Sequence, residues 1–561
     1  MSTYPWTSQY PSEVPTTLDN DKYESLVELI EDAFSKYGND TSFINMGKEI
    51  SFSDLEKHSA NFASFLQNDL QLKQGSRIAI QMPNLLQYPV AMLGALRAGM
   101  VVVNTNPLYT PKEMKHQFND SGAETVVILA NFASNLEEIL DETGIKNVIV
   151  TEIGDMIGGL KGAFINFAVK NIKKMVPSYV IPGTIKFKDA LKKGASRTYS
   201  KPEIKGGDIA FLQYTGGTTG VSKGAMLTHT NILTNTLQIG GWMKPKLRER
   251  EEFCVTALPL YHIFALTVNC FSMLMIGAKN LLITNPRDMP AFVKELTKYP
   301  FTVITGVNTL FNGLLNNPDF KSAGFEKLKI AVGGGMAVQD VVAQNWESVT
   351  GVPLAEGYGL TESSPVLTCN PIDGTQRIGT IGLPLPETAI KIMDDDGNDV
   401  ENGQPGELCA KGRQVMKGYW QRPEETENVI TADGWLKTGD VAVMEEDGFF
   451  KIVDRKKEMI LVSGFNVYPN EVENVVAAHP KVLEVGAIGV PDAKSTEAVK
   501  IFVVKSDDSL TVDELKEYCR SSMTAYKCPK HIEFKDELPK SNVGKILRRI
   551  LKEEDAKVNS Y

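Results

Sequence analysis

Tyr214-Thr-Gly-Gly-Thr-Thr-Gly-Val-Ser-Lys-Gly224 directly follows the apolar run Ile209-Ala-Phe-Leu212, the pattern of a buried strand emptying into a glycine-rich loop. Gly216, Gly217 and Gly220 let backbone N–H groups approach anionic oxygens, while Thr215, Thr218, Thr219 and Ser222 add hydroxyl donors and Lys223 adds charge. Such a stretch suits a nucleotide triphosphate. A turn-rich surface loop is the plainer alternative, and the density of hydroxyls and glycines around one lysine argues against it. The spacing also departs from the Walker loop, in which Lys-Ser/Thr follows the last glycine directly. Here two residues separate Gly220 from Lys223 and a glycine follows the lysine, so phosphate is bound on a different scaffold.

The rest of the chain supports a large α/β protein. At 561 residues and 42% hydrophobic it exceeds one core and suits a multi-lobed body with a smaller domain. A net charge of −10 with no arginine-rich tract argues against nucleic-acid binding. The six cysteines are far apart, as expected of reduced, buried thiols in a cytoplasmic protein, and the polar start of the chain lacks the order of a signal peptide. Arg77–Met82, Met100–Val103, Thr125–Leu129 and Val148–Val150 read as strands, with a helical period over Leu85–Arg97, which is the alternation of a parallel α/β fold. Phe253–Ala278 carries no charge, but Pro259, His262 and Asn269 make it a short strand followed by a buried helix rather than a membrane span. Its uncharged wall is either core or the lining of an apolar tunnel.

Met156–Lys188 reads as a basic amphipathic helix, with Leu160, Phe164, Phe167 and Ile172 near helical spacing and Lys161, Lys170, Lys173 and Lys174 among them. Either it packs on the body with its lysines in water, or it docks on an anionic membrane surface. Further on, Leu328-Lys-Ile-Ala-Val-Gly-Gly-Gly-Met336 is another strand ending in glycines. Glu356-Gly-Tyr-Gly-Leu-Thr-Glu362 then offers an aromatic ring for a base, a hydroxyl for phosphate and a carboxylate for a metal.

Thr215–Gly224, Tyr358-Gly-Leu-Thr-Glu362, Thr438-Gly-Asp440, Asp454-Arg-Lys-Lys457 and Pro539-Lys-Ser-Asn-Val-Gly-Lys545 together resemble the adenylate-forming superfamily, which includes acyl-CoA synthetases and luciferases. The block from Asp433 to Lys457 resembles the stretch characteristic of fatty acyl-CoA synthetases, and Met82–Pro89 and Ser463–Asn470 extend the likeness over nearly the whole chain. The resemblance implies a large N-terminal domain over 1–453 and a small, mobile α+β domain over 454–561. It implies ATP-dependent activation of long-chain fatty acids to acyl-CoA through acyl-AMP, feeding fatty-acid degradation. ATP, Mg²⁺ and coenzyme A are then the implied ligands.

Residue by residue, the resemblance implies a catalytic set of Lys545, Thr218, Glu362 and His262, with Glu362 holding Mg²⁺. The implied nucleotide set is Thr215, Gly216, Gly217, Thr218, Thr219, Gly220, Lys223 and Thr361 for phosphate, Gly334, Glu356, Gly357 and Tyr358 around the base, Asp440 for the ribose hydroxyls, and Arg455 for ribose or phosphate. Gly464 would line a CoA channel after rotation of the C-terminal domain about Asp454, a motion that removes Lys545. No carboxylate follows His262 to grip an amino-acid ammonium, and Leu266 stands where some long-chain relatives carry a tryptophan gate. Phe253–Ala278 with Val303–Leu315 instead suits an alkyl chain. An aryl- or medium-chain acyl-CoA ligase and a luciferase-like oxygenase would share every ATP residue and remain the alternatives. The expected location is cytoplasmic, with peripheral contact at the inner face of the cell membrane if the basic segment docks.

Overall fold

Thr125–Leu129 is buried at every position, so it has no wet face and needs helices on both sides. In the computed structural model, which describes residues 4–215, 222–492 and 494–558, it belongs to a seven-stranded sheet. The order is Ile185–Lys186, Asn147–Thr151, Thr125–Leu129, Arg77–Gln81, Val101–Asn104, Ile209–Thr215 and Lys223–Thr228, parallel up to the last hairpin. That hairpin joins the two strands flanking the glycine-rich loop. A nine-stranded sheet sets Leu354–Gly359, Ile330–Gly333, Val303–Gly306, Phe253–Thr256 and Lys279–Leu282 side by side and parallel.

Helices fill the space around the sheets. Ser51 and Asp54 form a reciprocal capping box that starts the Phe52–Asn68 helix, which buries Phe62 and Phe65. Gln87–Arg97 lies against it so closely that a Cβ on Gly94 would come within 2.8 Å of the Ser59 carbonyl. The His229–Met243 helix is buried on nearly every side and ends at Trp242 and Met243. Ala389–Met393, Gly406–Lys411, Leu436–Met444 and Phe450–Arg455 make a separate antiparallel sheet. The smaller C-terminal domain has its own core around a sheet built on Val482–Asp492 and Thr496–Lys505, joined by Ile460–Val462, Phe465–Val467 and His531–Phe534.

Phe253–Ala278 divides as expected into the strand Phe253–Thr256 and the buried helical turns Ala265–Phe271 and Ser272–Met275. Among the described residues no helix is long and apolar enough to cross a membrane. Met156–Lys188 is not one helix. A helix covers Gly159–Phe167, a wider turn follows over Ala168–Ile172, and the chain then runs irregularly through Pro177 and Pro182 to the edge strand at Ile185. Proline at those positions cannot supply the N–H that a continuing helix needs.

Candidate active site

Parallel strands deliver loops to one edge of their sheet, and the crevice beyond their carboxyl ends is where α/β proteins take ligands. Ile209–Thr215, Ile330–Gly333 and Leu354–Gly359 all end at a cleft of ≈ 900 Å³ shared by the two domains. From the N-terminal body come Thr215, Lys223, His262, Gly334, Gly357, Tyr358, Thr361, Glu362 and Asp440; Arg455 ends the strand that runs past residue 453 while still paired to the body, and Lys545 comes from the C-terminal domain. Gly216, Gly217, Thr218, Thr219 and Gly220 lie outside the described residues.

On the body side Tyr358, Asp440, Arg455, Lys223 and Glu362 each already have a protein partner. Tyr358 Oη donates to Asp440 Oδ2 at 2.6 Å, and Arg455 Nε lies 3.3 Å from Asp440 Oδ1, so a buried carboxylate is fixed between a ring and a guanidinium. The pairing is dictated locally, because Asp440 and Arg455 face each other across adjacent antiparallel strands. Gly334 leaves the backbone open to the cleft, since a Cβ there would crowd the Gly357 carbonyl at 3.0 Å and the Phe264 ring at 3.1 Å. Lys223 lies 4.9 Å from the centre of the Tyr419 ring and pairs with Glu425. Tyr419 Oη in turn donates to Glu362 Oε1 at 2.6 Å. The other Glu362 oxygen has no hydrogen bond or ion pair among the described residues, and Glu362 lines the cleft. A single carboxylate of this kind is a donor that suits Mg²⁺, which takes one or two protein carboxylates and would need its remaining ligands from elsewhere. His262 accepts the Phe264 N–H at Nδ1 over 3.3 Å, and burial pulls its pKa down to about 4, so the ring is neutral.

Lys545 is held differently. Its amide donates to Ser541 Oγ at 3.1 Å, Ser541 N donates back to the Lys545 carbonyl at 2.7 Å, and Thr309 Oγ1 from the body donates to the Gly544 carbonyl at 2.9 Å. Gly544 has a φ of +86°, which few other residues tolerate, and a Cβ there would meet Thr309 Oγ1 at 2.7 Å. The backbone is pinned, yet the ammonium has no hydrogen bond or ion pair among the described residues. Burial lowers its pKa to about 8, with Arg455 pushing the same way. A desolvated cation of this kind fits an anionic ligand.

Glu356 does not line the cleft, and Gly464, expected in a CoA channel only after rotation, lies outside it in this structure. Glu356 directs its carboxylate to the Val338 N–H at 3.3 Å, and burial raises its pKa to about 8. Gly464 sits at the tip of the Ile460–Val467 hairpin with a φ of +85°, away from the cleft. The apolar extension also differs in part from expectation. Leu258, Ile263, Phe264 and Val268 of the uncharged wall line it, but Val307 is the contribution of Val303–Leu315, and Ile239, Trp242 and Met243 enter from the His229–Met243 helix. Asn104 and Gln213 line the cleft and are held from behind by buried Tyr88, with Tyr88 Oη donating to Asn104 Oδ1 at 2.7 Å and Asn104 Nδ2 to Gln213 Oε1 at 2.9 Å. A lone amide ending an apolar parallel strand, as in Val101-Val-Val-Asn104, is the signal that points to these residues.

A large α/β body and a smaller C-terminal domain share this cleft, and the chain belongs to the AMP-binding enzyme family, whose main domain matches residues 30–420 and whose C-terminal domain matches 471–545. It is 58% identical over 549 residues, 98% of either chain, to the long-chain-fatty-acid–CoA ligase of Escherichia coli O6:H1. It is 57% identical over 555 residues, 99% of either chain, to the protein of the same name from Yersinia pestis. Among solved structures, the anthranilate CoA ligase AuaEII with anthranoyl-AMP superposes at a TM-score of 0.86 and 22% identity, covering 96% of this chain and 98% of that one, which shows the shared fold. ATP-bound MatB from Rhodopseudomonas palustris superposes at 0.80 with 26% identity, covering 95% and 99%.

Proposed function

We infer that the protein joins long-chain fatty acids to coenzyme A in two steps driven by ATP. The observation that carries this is the unpartnered, desolvated Lys545 ammonium in one cleft with the Tyr358–Asp440–Arg455 cluster, next to an apolar pocket that presents no charge to the acyl chain. A carboxylate is a poor acyl donor because its leaving group would be oxide. In the first step a carboxylate oxygen attacks the α-phosphorus of ATP, forming acyl-AMP and expelling pyrophosphate. Lys545 bridges the attacking carboxylate and the α-phosphate as charge shifts between them. Thr215 and Lys223 hold the outer phosphates, Lys223 exchanging Glu425 for them, while Tyr358 and Gly334 take the base and Asp440 the ribose. Glu362 would hold Mg²⁺, which when bound would supply positive charge against the phosphate oxygens. In the second step the CoA thiol attacks the acyl carbon, and AMP leaves.

The domain boundary falls at Asp454, with 1–453 binding ATP and fatty acid and 454–561 rotating between the steps. Rotation withdraws Lys545 and brings the Gly464 hairpin to line a channel for CoA. Long chains are favoured because each methylene buried along Trp242, Met243 and Val268 contributes about 0.8 kcal/mol. CoA-dependent AMP release should therefore rise along a series of straight-chain acids and stay low for aromatic acids. A preference for aromatic or short acids would overturn the assignment in favour of an aryl- or medium-chain ligase.

The enzyme works in the cytoplasm and touches the anionic inner membrane through the segment that follows Gly158. Gly154 and Gly162 approach so closely that a Cβ on Gly154 would lie 2.2 Å from the Gly162 carbonyl, and Asn166 accepts the Gly154 N–H at 2.7 Å. The Gly159–Phe167 helix thus turns its small and amide residues inward and leaves Leu160 91% exposed, Phe164 65% and Phe167 56%. Ile172, Met175 and Val180 continue the exposed surface, and six lysines with no acidic residue lie within 156–188. Apolar side chains ringed by cations complement an anionic bilayer, where each lysine near the surface contributes about 1 kcal/mol. Replacing Lys161, Lys170, Lys173 and Lys174 with Gln should release the protein from anionic vesicles at low salt while sparing turnover of a short, soluble acid. Unchanged sedimentation would leave these lysines merely solvated.

A further inference from the structure

Three residues beyond Lys545, Arg548 opens the Arg548–Val558 helix with all five of its N–H groups matched. Nε donates to Glu473 Oε1 at 2.9 Å and Nη2 to Glu473 Oε2 at 2.6 Å, a two-pronged pair; Nη2 also reaches Asn470 Oδ1. Nη1 donates to Glu458 and, at 3.2 Å, to Asp454 Oδ1. The cluster is enclosed: the Arg548 side chain is 12% exposed and Asp454 0%. Four of these bonds stay inside the C-terminal domain. The fifth does not, because Asp454 lies in the Phe450–Arg455 strand, which is paired along Leu436–Met444 in the body. Asp454 Oδ2 further accepts the Asn470 N–H at 2.8 Å, so one buried carboxylate holds both the guanidinium and the start of the Pro469–Ala477 helix.

We propose that Arg548 is a positioning residue that locks the hinge carboxylate Asp454 to the Lys545 loop, so that Lys545 enters the cleft only when the hinge is in this geometry. This rests on the assignment of Lys545 to the first step and on rotation about Asp454. The loop between Lys545 and Arg548 is two residues long, so fixing the guanidinium fixes the approach of the ammonium to the cleft. Rotation about Asp454 carries Glu473, Asn470 and Glu458 along with Arg548, leaving the Asp454 contacts as those that change. Lysine cannot replace the fork, since an ammonium has three donors and no planar pair to match Glu473 and Asp454 together.

The test uses full-length enzyme carrying Arg548→Lys, assayed separately for acid-dependent exchange of pyrophosphate into ATP and for thioester formation from supplied acyl-AMP. Exchange should fall at least about tenfold and thioester formation stay within about threefold, at unchanged melting temperature. Asp454→Asn should show the same one-sided loss, and the double variant should lose little more than either single, since both break one connection. Equal loss in the two half-reactions, loss in neither, or additive losses would each overturn the proposal. If Arg548→Lys does not fold, Asp454→Asn alone carries the same outcomes. Lys545→Ala run alongside separates two failures. If it impairs both half-reactions alike, the assignment of Lys545 to the first step falls; if it impairs only the first while Arg548→Lys impairs neither, only the role of Arg548 falls.

Discussion

The two walls of the cleft are built on opposite terms. On the body wall, Tyr358, Asp440, Arg455, Glu362 and Lys223 each have a protein partner before any ligand arrives. On the C-terminal wall the backbone around Lys545 is pinned while its ammonium has no partner among the described residues. A wall of mutually satisfied groups is pre-organised to bind and costs little to keep. A desolvated, unpaired cation costs stability and is retained where an anion will meet it. On the proposed function, the body would hold the nucleotide through both steps, while the small domain would bring chemistry to one of them.

Lys545→Ala breaks the comparison most sharply. Adenylation should drop about 10²–10³-fold, the usual loss for a group that stabilises transition-state charge, with thioester formation from supplied acyl-AMP largely spared. Parallel loss in both assays would mean that the two walls work together throughout. Glu362→Ala comes next, with adenylation lower by on the order of a hundredfold and partly recovered by raising Mg²⁺, because the carboxylate's free oxygen is its ligand. Normal Mg²⁺ dependence in that variant would reject the metal role.

The same unpaired ammonium predicts a pH effect of about tenfold per unit. With its pKa drawn from 10.5 to about 8, the free enzyme loses the cation as pH rises through 8, so kcat/KM for adenylation should decline from there. Bound carboxylate and phosphate restore the proton, so kcat should decline at higher pH. Stability runs the other way: between about 8 and 10.5 the unfolded chain binds more protons than the folded one, so stability rises with pH across that window, and Lys545→Ala should abolish the rise. A kcat/KM profile flat to pH 10 would refute the desolvated cation.

The strands, the loop hairpin and the motif residues of the body wall were legible because short-range patterns determine them: apolar runs ending in glycine, and Asp440 facing Arg455 across one hairpin. What stayed hidden depends on distant packing. The His229–Met243 helix is buried on nearly all sides and mixes polar with apolar residues throughout, so no periodicity marks Trp242 and Met243 as the side that meets the cleft. Glu356 shares the alternation of Tyr358, yet the segment after Gly335 claims its carboxylate through the Val338 N–H. The inverted Gly159–Phe167 helix follows from the contact between Gly154 and Gly162, two residues whose lack of side chains carries no period at all. Lys545 was legible as a motif position; that its ammonium is unpaired required the arrangement of both domains.

Tyr358→Phe is the mildest and most discriminating test of the body wall. It deletes the 2.6 Å bond to Asp440 but keeps the ring that can stack on a base. Asp440 retains Arg455 at 3.3 Å, so the carboxylate stays charged and paired but loses one of its two anchors. Because that bond exists before ATP binds, its loss reaches the ligand only through the freedom that Asp440 gains. A few-fold rise in KM for ATP is expected, well under the full value of a hydrogen bond to a charged group, with kcat unchanged. The body wall serves both steps, so KM for supplied acyl-AMP in thioester formation should rise by a similar factor. That shared shift separates it from Lys545, whose loss is one-sided. If Tyr358→Phe instead lowered kcat of adenylation alone, the hydroxyl would belong to the chemistry of the first step, and the division between a binding wall and a reacting wall would fail at Tyr358.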